Sequence, residues 1–278
     1  MAEEKVHFTE EKETMLMTLH GRAVQSKWEE PILRDPWAEE AEQHIDYDFG
    51  KVDRMGGVFA PLFRRLGCAI VATRAATFDA LTKKFLTEHP NAVVLHLGCG
   101  MDSRVFRIDP PADVQWFDVD FPDVIDLRRR LFPDRADYRM IGSSLEDLDW
   151  LKEVPGGRPV LVIAEGVLPY LAEASVKALL NAVTIQFPLG EVAFDTGASW
   201  VVKRTGTNVG NTGATYRWGL DDPRDVKKLE PRLELVREYR NRDLVGYSRF
   251  PVLARVLYRL MDLNTAMRRM HRILVYKF

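Results

Sequence analysis

Apolar positions divide this chain into two regimes. From position 93 onward they gather in short runs at 93–97, 115–119, 138–141, 159–166 and 191–196, the length and crowding of buried strands. Between the runs the spacing turns helical: after Asp102, over 123–131 behind Pro122, and over 172–185. Strands alternating with helices predict a mainly parallel sheet covered on both faces. Near the end, 233–240 and 272–278 read as an antiparallel pair at the sheet edge, with helices over 250–261 and 264–271 between them.

Upstream the pattern is helical throughout. Met15, Leu16, Leu19, Ala23 and Val24 recur at helical spacing within 13–28. Asp35-Pro36 predicts a capped helix over 36–44, because proline suits the first helical turn and aspartate can take its free N–H groups. Gly56-Gly57 marks a loop or hinge, and 59–86 predicts one long helix or two consecutive ones, stopped at Asn91. The chain therefore divides into a helical cap over 1–90 and an α/β core over 91–278. Within the core, the glycine-, threonine- and asparagine-rich stretch 206–219 is too long for a simple connection and predicts a substrate loop around 200–220.

Bulk properties change this picture little. The 278 residues carry 39 basic and 41 acidic side chains, a net charge of −2, so neither nucleic acid nor a membrane is expected as the main partner. The arginine runs at 128–130 and 268–269 read as helix surface. Cys68 and Cys99 stand in unrelated contexts, and the acidic N-terminus lacks the order of a secretion signal, which points to the cytoplasm. The six histidines are scattered and show no metal-ligand spacing, so no metal is expected.

The chemistry concentrates in VVLHLGCGMDSR (93–104) and WFDVDFP (116–122). A strand running into Gly98-Cys99-Gly100 lets backbone approach a ligand closely, and the next helix offers unpaired N–H groups. The third glycine of a dinucleotide fingerprint is absent, and Asp102 stands just past the turn, where a carboxylate would repel a pyrophosphate. The turn suits a phosphate-free, positively charged ligand such as S-adenosylmethionine. A nicotinamide-dependent oxidoreductase and a non-catalytic S-adenosylmethionine-binding protein are the alternative readings. Asp118 and Asp120 follow the glycines at the distance where a strand-end acid reaches ribose hydroxyls.

GCGMDSR, DVDFP and AEGVLPYL (164–171), in this order and spacing, resemble the leucine carboxyl methyltransferase family, and within it the bacterial branch of tetracenomycin-type polyketide O-methyltransferases. DPWAEE (35–40), TRAATFDAL (73–81) and RWGLDDPRD (217–225) extend the resemblance over most of the chain. It implies a class I, Rossmann-like methyltransferase fold and S-adenosylmethionine as cofactor. Position by position it implies that Arg74 pairs with the methionine carboxylate, that Gly98, Cys99 and Gly100 form the glycine turn, and that Asp120, followed by Phe121, binds the ribose. Ser144 and Leu145 stand where the family has Asp-Leu beside the adenine, and Glu165 lies next to the methionine portion. Arg22 and Lys27 are both candidates for a second contact to the cofactor carboxylate.

His96 reads as a packed strand residue, and no general base is assigned. A carboxylate acceptor is already ionised and needs none, whereas a phenol does. The acceptor is expected to be a small molecule, walled by the N-terminal helices and by Tyr170, Trp200, Tyr216, Arg217 and Trp218.

Overall fold

A computed structural model of the chain describes residues 4–5, 11–50, 60–205 and 214–278. The hinge expected at Gly56-Gly57 and most of the glycine-rich loop lie outside the described residues.

Strands β3 (Val93–Leu97), β4 (Gln115–Asp120), β5 (Tyr138–Gly142), β6 (Val160–Ala164) and β7 (Gly190–Thr196) fall where the apolar runs predict them. With β8 (Glu234–Tyr239) and β9 (Arg272–Lys277) they form a seven-stranded sheet ordered β5-β4-β3-β6-β7-β9-β8. Strands β3 to β7 pair in parallel, while β9 runs antiparallel to both β7 and β8. The order reverses between β3 and β6, and a crevice opens at such a switch point beyond the carboxyl ends of the strands. A separate two-residue pairing joins β1 (Glu4–Lys5) to β2 (Ile45–Asp46).

Helices α1 (Glu11–Ser26), α2 (Pro36–Gln43) and α3 (Ala60–Glu88) precede the sheet. Asp35 caps α2 as expected, accepting the Ala38 N–H. Helix α3 is one continuous element; buried Ala69, Ala72, Ala75 and Ala76 keep its inner side narrow, and Gly21 of α1 lies against Val71. Helices α4 (Arg104–Ile108), α5 (Pro122–Leu131) and α6 (Glu173–Gln186) follow strands β3, β4 and β6. Beyond β7 come α7 (Ser199–Thr205), α8 (Val252–Met261) and α9 (Thr265–Arg268).

Strand alternation sorts the core into two layers. Val93, Leu95, Phe117, Val162 and Phe194 pack against Leu179, Leu180 and Val183 of α6. Val94, Trp116, Leu161, Ile163, Ala193, Ile273 and Val275 pack with Phe78 and Phe85 of α3. Continuing the second parity to the strand ends places His96, Asp118, Asp120, Glu165, Asp195 and His271 on the α3 side of the sheet. That single fact assembles the site.

The run at 128–130 corrects a sequence expectation. Arg128 is fully buried, not helix surface. It ion-pairs with Asp118 and donates to the backbone oxygens of Gly100 (2.6 Å) and Asp102 (2.9 Å), because α5 turns this one arginine inward beneath the glycine turn.

Candidate active site

At the carboxyl edge of β3, β4 and β6 a cavity of about 370 Å³ opens. Arg74, Gly98, Cys99, Gly100, Asp120, Phe121, Ser144, Leu145 and Glu165 all line it, gathered from α3, four strand ends and their following turns.

The glycine turn is geometrically obligatory. Gly98 (φ +57°) and Gly100 (φ +48°) hold left-handed conformations, and the Gly98 N–H donates to the Val119 oxygen at 2.7 Å. A Cβ on Gly98 would stand 2.2 Å from a Val167 methyl, and one on Gly100 would stand 2.7 Å from Met15 Cγ. Gly98→Ala should therefore destabilise the fold by about 2 kcal/mol or more, from the backbone conformation and the overlap together. A melting temperature unchanged in differential scanning calorimetry would contradict this account of the turn. Cys99, between them, is buried, and that burial pushes its thiol well above the ordinary range.

Asp120 is tied to the turn at both oxygens. Oδ2 accepts from Gly100 N and Oδ1 from Phe121 N, each at 2.7 Å. Burial raises its pKa, against the lowering effect of these two N–H groups. Each oxygen keeps lone-pair capacity for a further donor, which suits a diol. Ser144 and Leu145 follow β5; the Ser144 hydroxyl accepts from Glu146 N at 3.2 Å.

The cationic end of the cavity is held by alternating charges. Arg74 donates through Nε to Glu165 (2.8 Å) and through Nη1 to Asp195 (3.1 Å). Glu165 is held from behind by Arg104, fully buried, at 2.5 Å. Arg104 also binds Asp79 (2.7 Å) and Asp102 (3.1 Å), and Arg107 binds Asp79 (2.9 Å), Asp102 (2.7 Å) and Asp35 (2.9 Å). Asp102 thus enters the cavity wall already neutralised, its pKa well below the ordinary range although burial opposes this. The expectation that its charge repels a pyrophosphate fails: two guanidiniums answer that carboxylate before any ligand arrives.

Of the two basic candidates, Arg22 on α1 and Lys27 just past its end, only Arg22 reaches the cavity. It lines the cavity, nearly buried, and binds Asp35 (3.1 Å) and the Met101 oxygen (2.7 Å). Lys27 is half exposed and pairs with Glu42 at 3.5 Å. His96 is packed, its Nδ1 3.1 Å from Asp118 and its ring edge-on to Trp116. Asp118, fully buried, is held at about 2: burial pushes it up, and Arg128, His96 and Tyr138 more than reverse this.

The expected acceptor walls divide. Tyr170 and Tyr216 line the cavity as an edge-on ring pair with centroids 5.1 Å apart, and Arg217 stands beside them. Trp218 does not line the cavity. It is buried against Phe194, 5.8 Å between ring centroids, and serves the core. Trp200 also lies off the lining, its indole N–H donating to the Ala266 oxygen at 3.1 Å.

Asp195, Asp79, Arg104, Arg107 and Arg128 went unread in the sequence. Strand parity was the available signal for Asp195: it ends β7 on the side on which Glu165 follows β6. Helical spacing was the available signal for Arg128: it falls on the apolar face with Val124, Leu127 and Leu131, whereas Arg129 and Arg130 fall on the exposed one.

The site fits S-adenosylmethionine on its own chemistry. The glycine cradle would be filled by any Cβ, a half-buried carboxylate tied to that turn keeps lone pairs that suit a diol, and a guanidinium lines the same cavity. A sheet of this order with such a site is that of a class I, S-adenosylmethionine-dependent methyltransferase. The chain belongs to the leucine carboxyl methyltransferase family, whose model matches residues 15–184. It is 42% identical to the tetracenomycin polyketide synthesis O-methyltransferase TcmP of Streptomyces glaucescens, with 85% of each chain covered. It is 33% identical to an S-adenosyl-L-methionine-dependent methyltransferase of Gibberella zeae, with 93% of this chain and 92% of the relative covered. Among solved structures, an S-adenosylmethionine-dependent methyltransferase from Clostridium acetobutylicum shares the fold, with a TM-score of 0.51 at 13% identity over 79% of this chain and 97% of its own. Among the described residues no helix is long and apolar enough to cross a membrane.

Proposed function

We propose that the protein transfers a methyl group from S-adenosylmethionine to an oxygen of a small molecule, a phenol or a carboxylate on an aromatic, polyketide-type scaffold. The observation that carries this reading is the convergence of Arg74, the glycine turn, Asp120 and Ser144 on one cavity that Tyr170, Tyr216 and Arg217 also line. The similarity to TcmP supports the oxygen acceptor and the polyketide class.

The bound cofactor would supply an electrophilic methyl group on a sulfonium. The chain's own residues supply position and dryness. Asp120 would accept from the ribose hydroxyls, Arg74 would bind the amino-acid carboxylate, and Ser144 and Leu145 would border the adenine. Arg22 would add a second positive charge at the carboxylate end. Glu165 would stand near the ammonium group, anchored by Arg104. Tyr170 and Tyr216 offer flat apolar surface to an aromatic acceptor and exclude water around it. Arg217, an exposed residue of the lining, suits an acidic acceptor.

The test is transfer of a tritiated methyl group to a panel of hydroxy-aromatic compounds and aromatic carboxylates. Alkali then separates the two products, since methyl esters release labelled methanol and aryl methyl ethers do not. Labelled product in either class is the expected result. Cofactor binding without label in any member of the panel would replace this reading with that of a binding protein.

A further inference from the structure

The carboxylate Asp195 belongs to no motif and does not line the cavity, yet it organises the residue proposed to recognise the cofactor carboxylate. We infer that Asp195, braced by His271, is a positioning residue: it fixes the Arg74 guanidinium so that its remaining arm faces the ligand carboxylate, and the enzyme's grip on the amino-acid half of the cofactor depends on it. This inference rests on the reading of Arg74 given above.

The geometry is as follows. Arg74 lies between two carboxylates, using Nε for Glu165 at 2.8 Å and Nη1 for Asp195 at 3.1 Å. Its Nη2 makes no hydrogen bond among the described residues. A Cβ placed on Gly166, itself a cavity residue with φ +68°, would lie 3.4 Å from that same Nη2. The free arm therefore runs along the cavity wall beside Gly166, where the left-handed backbone favours glycine. A guanidinium held by one carboxylate alone can swing about that contact. Held by two on different edges, its plane and its free donors are fixed, and a carboxylate ligand meets a donor already in place.

Asp195 is itself anchored from behind. The Gly166 N–H donates to Oδ1 at 2.5 Å, and His271 Nε2 lies 3.2 Å from Oδ2, the oxygen that Arg74 uses. Burial favours the neutral form, but Arg74 foremost, then His271 and the Gly166 N–H, hold Asp195 ionised, at about 2. The two carboxylates are thus braced differently: Glu165 by the buried Arg104, and Asp195 by a backbone N–H and a partly exposed imidazole. Asp195 sits at the end of β7 and His271 just before β9, so the register of the antiparallel pair brings together residues 76 apart in sequence.

Two ligands separate positioning from general damage. S-Adenosylhomocysteine carries the amino-acid carboxylate; 5′-methylthioadenosine has the same adenosine and thioether but lacks it. In titration calorimetry Asp195→Asn should weaken S-adenosylhomocysteine by roughly tenfold or more, the size of one charge-assisted contact, and change 5′-methylthioadenosine by less than about twofold on the same scale. His271→Leu should shift affinity in the same selective way but less, and His271→Gln, which keeps a donor, should restore most of it. His271→Leu also serves if Asp195→Asn fails to fold, because it contacts the same oxygen from the partly exposed side. Equal weakening of both ligands, or no change for S-adenosylhomocysteine, overturns the inference. Arg74→Ala is the internal reference. If that variant leaves S-adenosylhomocysteine binding intact, the reading of Arg74 fails and the role of Asp195 fails with it. If Arg74→Ala is selective and Asp195→Asn is not, only the positioning role falls.

Discussion

Arg74→Ala should lower affinity for S-adenosylmethionine and S-adenosylhomocysteine by about a hundredfold or more. Two losses combine. The ligand carboxylate loses its guanidinium partner, and Glu165 and Asp195, both nearly buried, lose the cation between them. A ligand carboxylate then enters a site holding two answered by only one buried arginine, Arg104. Stripping one member from a buried charge cluster costs about 3–5 kcal/mol, so the melting temperature should fall as well. Arg74→Lys should recover part of the stability but little of the affinity, since an ammonium cannot serve two carboxylates and a ligand in one plane. Calorimetric titration of both variants decides this. An affinity within threefold of wild type for the alanine variant, on the order of the noise expected for a surface substitution, would remove Arg74 from the binding site.

The largest stability effect is expected at Arg128. Arg128→Met keeps the length and removes the charge, leaving Asp118 buried without its guanidinium and the Gly100 and Asp102 oxygens without a donor. The expected loss is about 3–5 kcal/mol at neutral pH, read from urea unfolding. The acid limb supplies a second readout with a definite sign. In the wild type Asp118 is held at about 2, below its value of roughly 3.9 in the unfolded chain. Its stabilising contribution is therefore complete above about pH 5 and lost as the pH falls toward 2. Without Arg128, burial dominates and favours the neutral carboxyl, so acid relieves the variant at this position while it weakens the wild type. The stability gap between them should narrow as pH falls from about 5 toward 3. A gap that stays constant over that range would mean that Asp118 is not what Arg128 neutralises.

These two arginines also mark how far the sequence carries. Arg74 sits in TRAATFDAL, among small apolar residues on a predicted helix that set it apart, and the family resemblance of that segment implies its chemistry. Arg128 sits in a run of three arginines that looks like solvated surface. Its burial follows from its place on the apolar face of α5 beside Val124, Leu127 and Leu131, a helical spacing that the run of charges masks. His96 reads as packed and is packed; Asp102 reads as a free charge and is not, because Arg104 and Arg107 reach it from a helix that begins only two residues later. Trp200 and Trp218 read as cavity walls because aromatics near a glycine-rich stretch suit one. The structure spends Trp218 on the core beneath β7 and turns Trp200 toward α9.

The sequence by itself determined the elements, their order, the parallel sheet with its antiparallel edge, the glycine turn and the nine cofactor-site candidates that the structure places on the cavity wall. The elements and the turn rest on short-range rules, namely periodicity, the φ freedom of glycine, and caps within a few residues of what they cap, while the candidates beyond the turn rest on the family resemblance. Only the tertiary structure decided which charges are neutralised. The cation–carboxylate cluster joins α1, α3, α4, β4, β6, β7 and β9 across separations of up to 121 residues between partners. Its members meet because strand pleat and sheet register turn them to one face, and whether a carboxylate there is free for a ligand depends on which guanidinium arrives from another element.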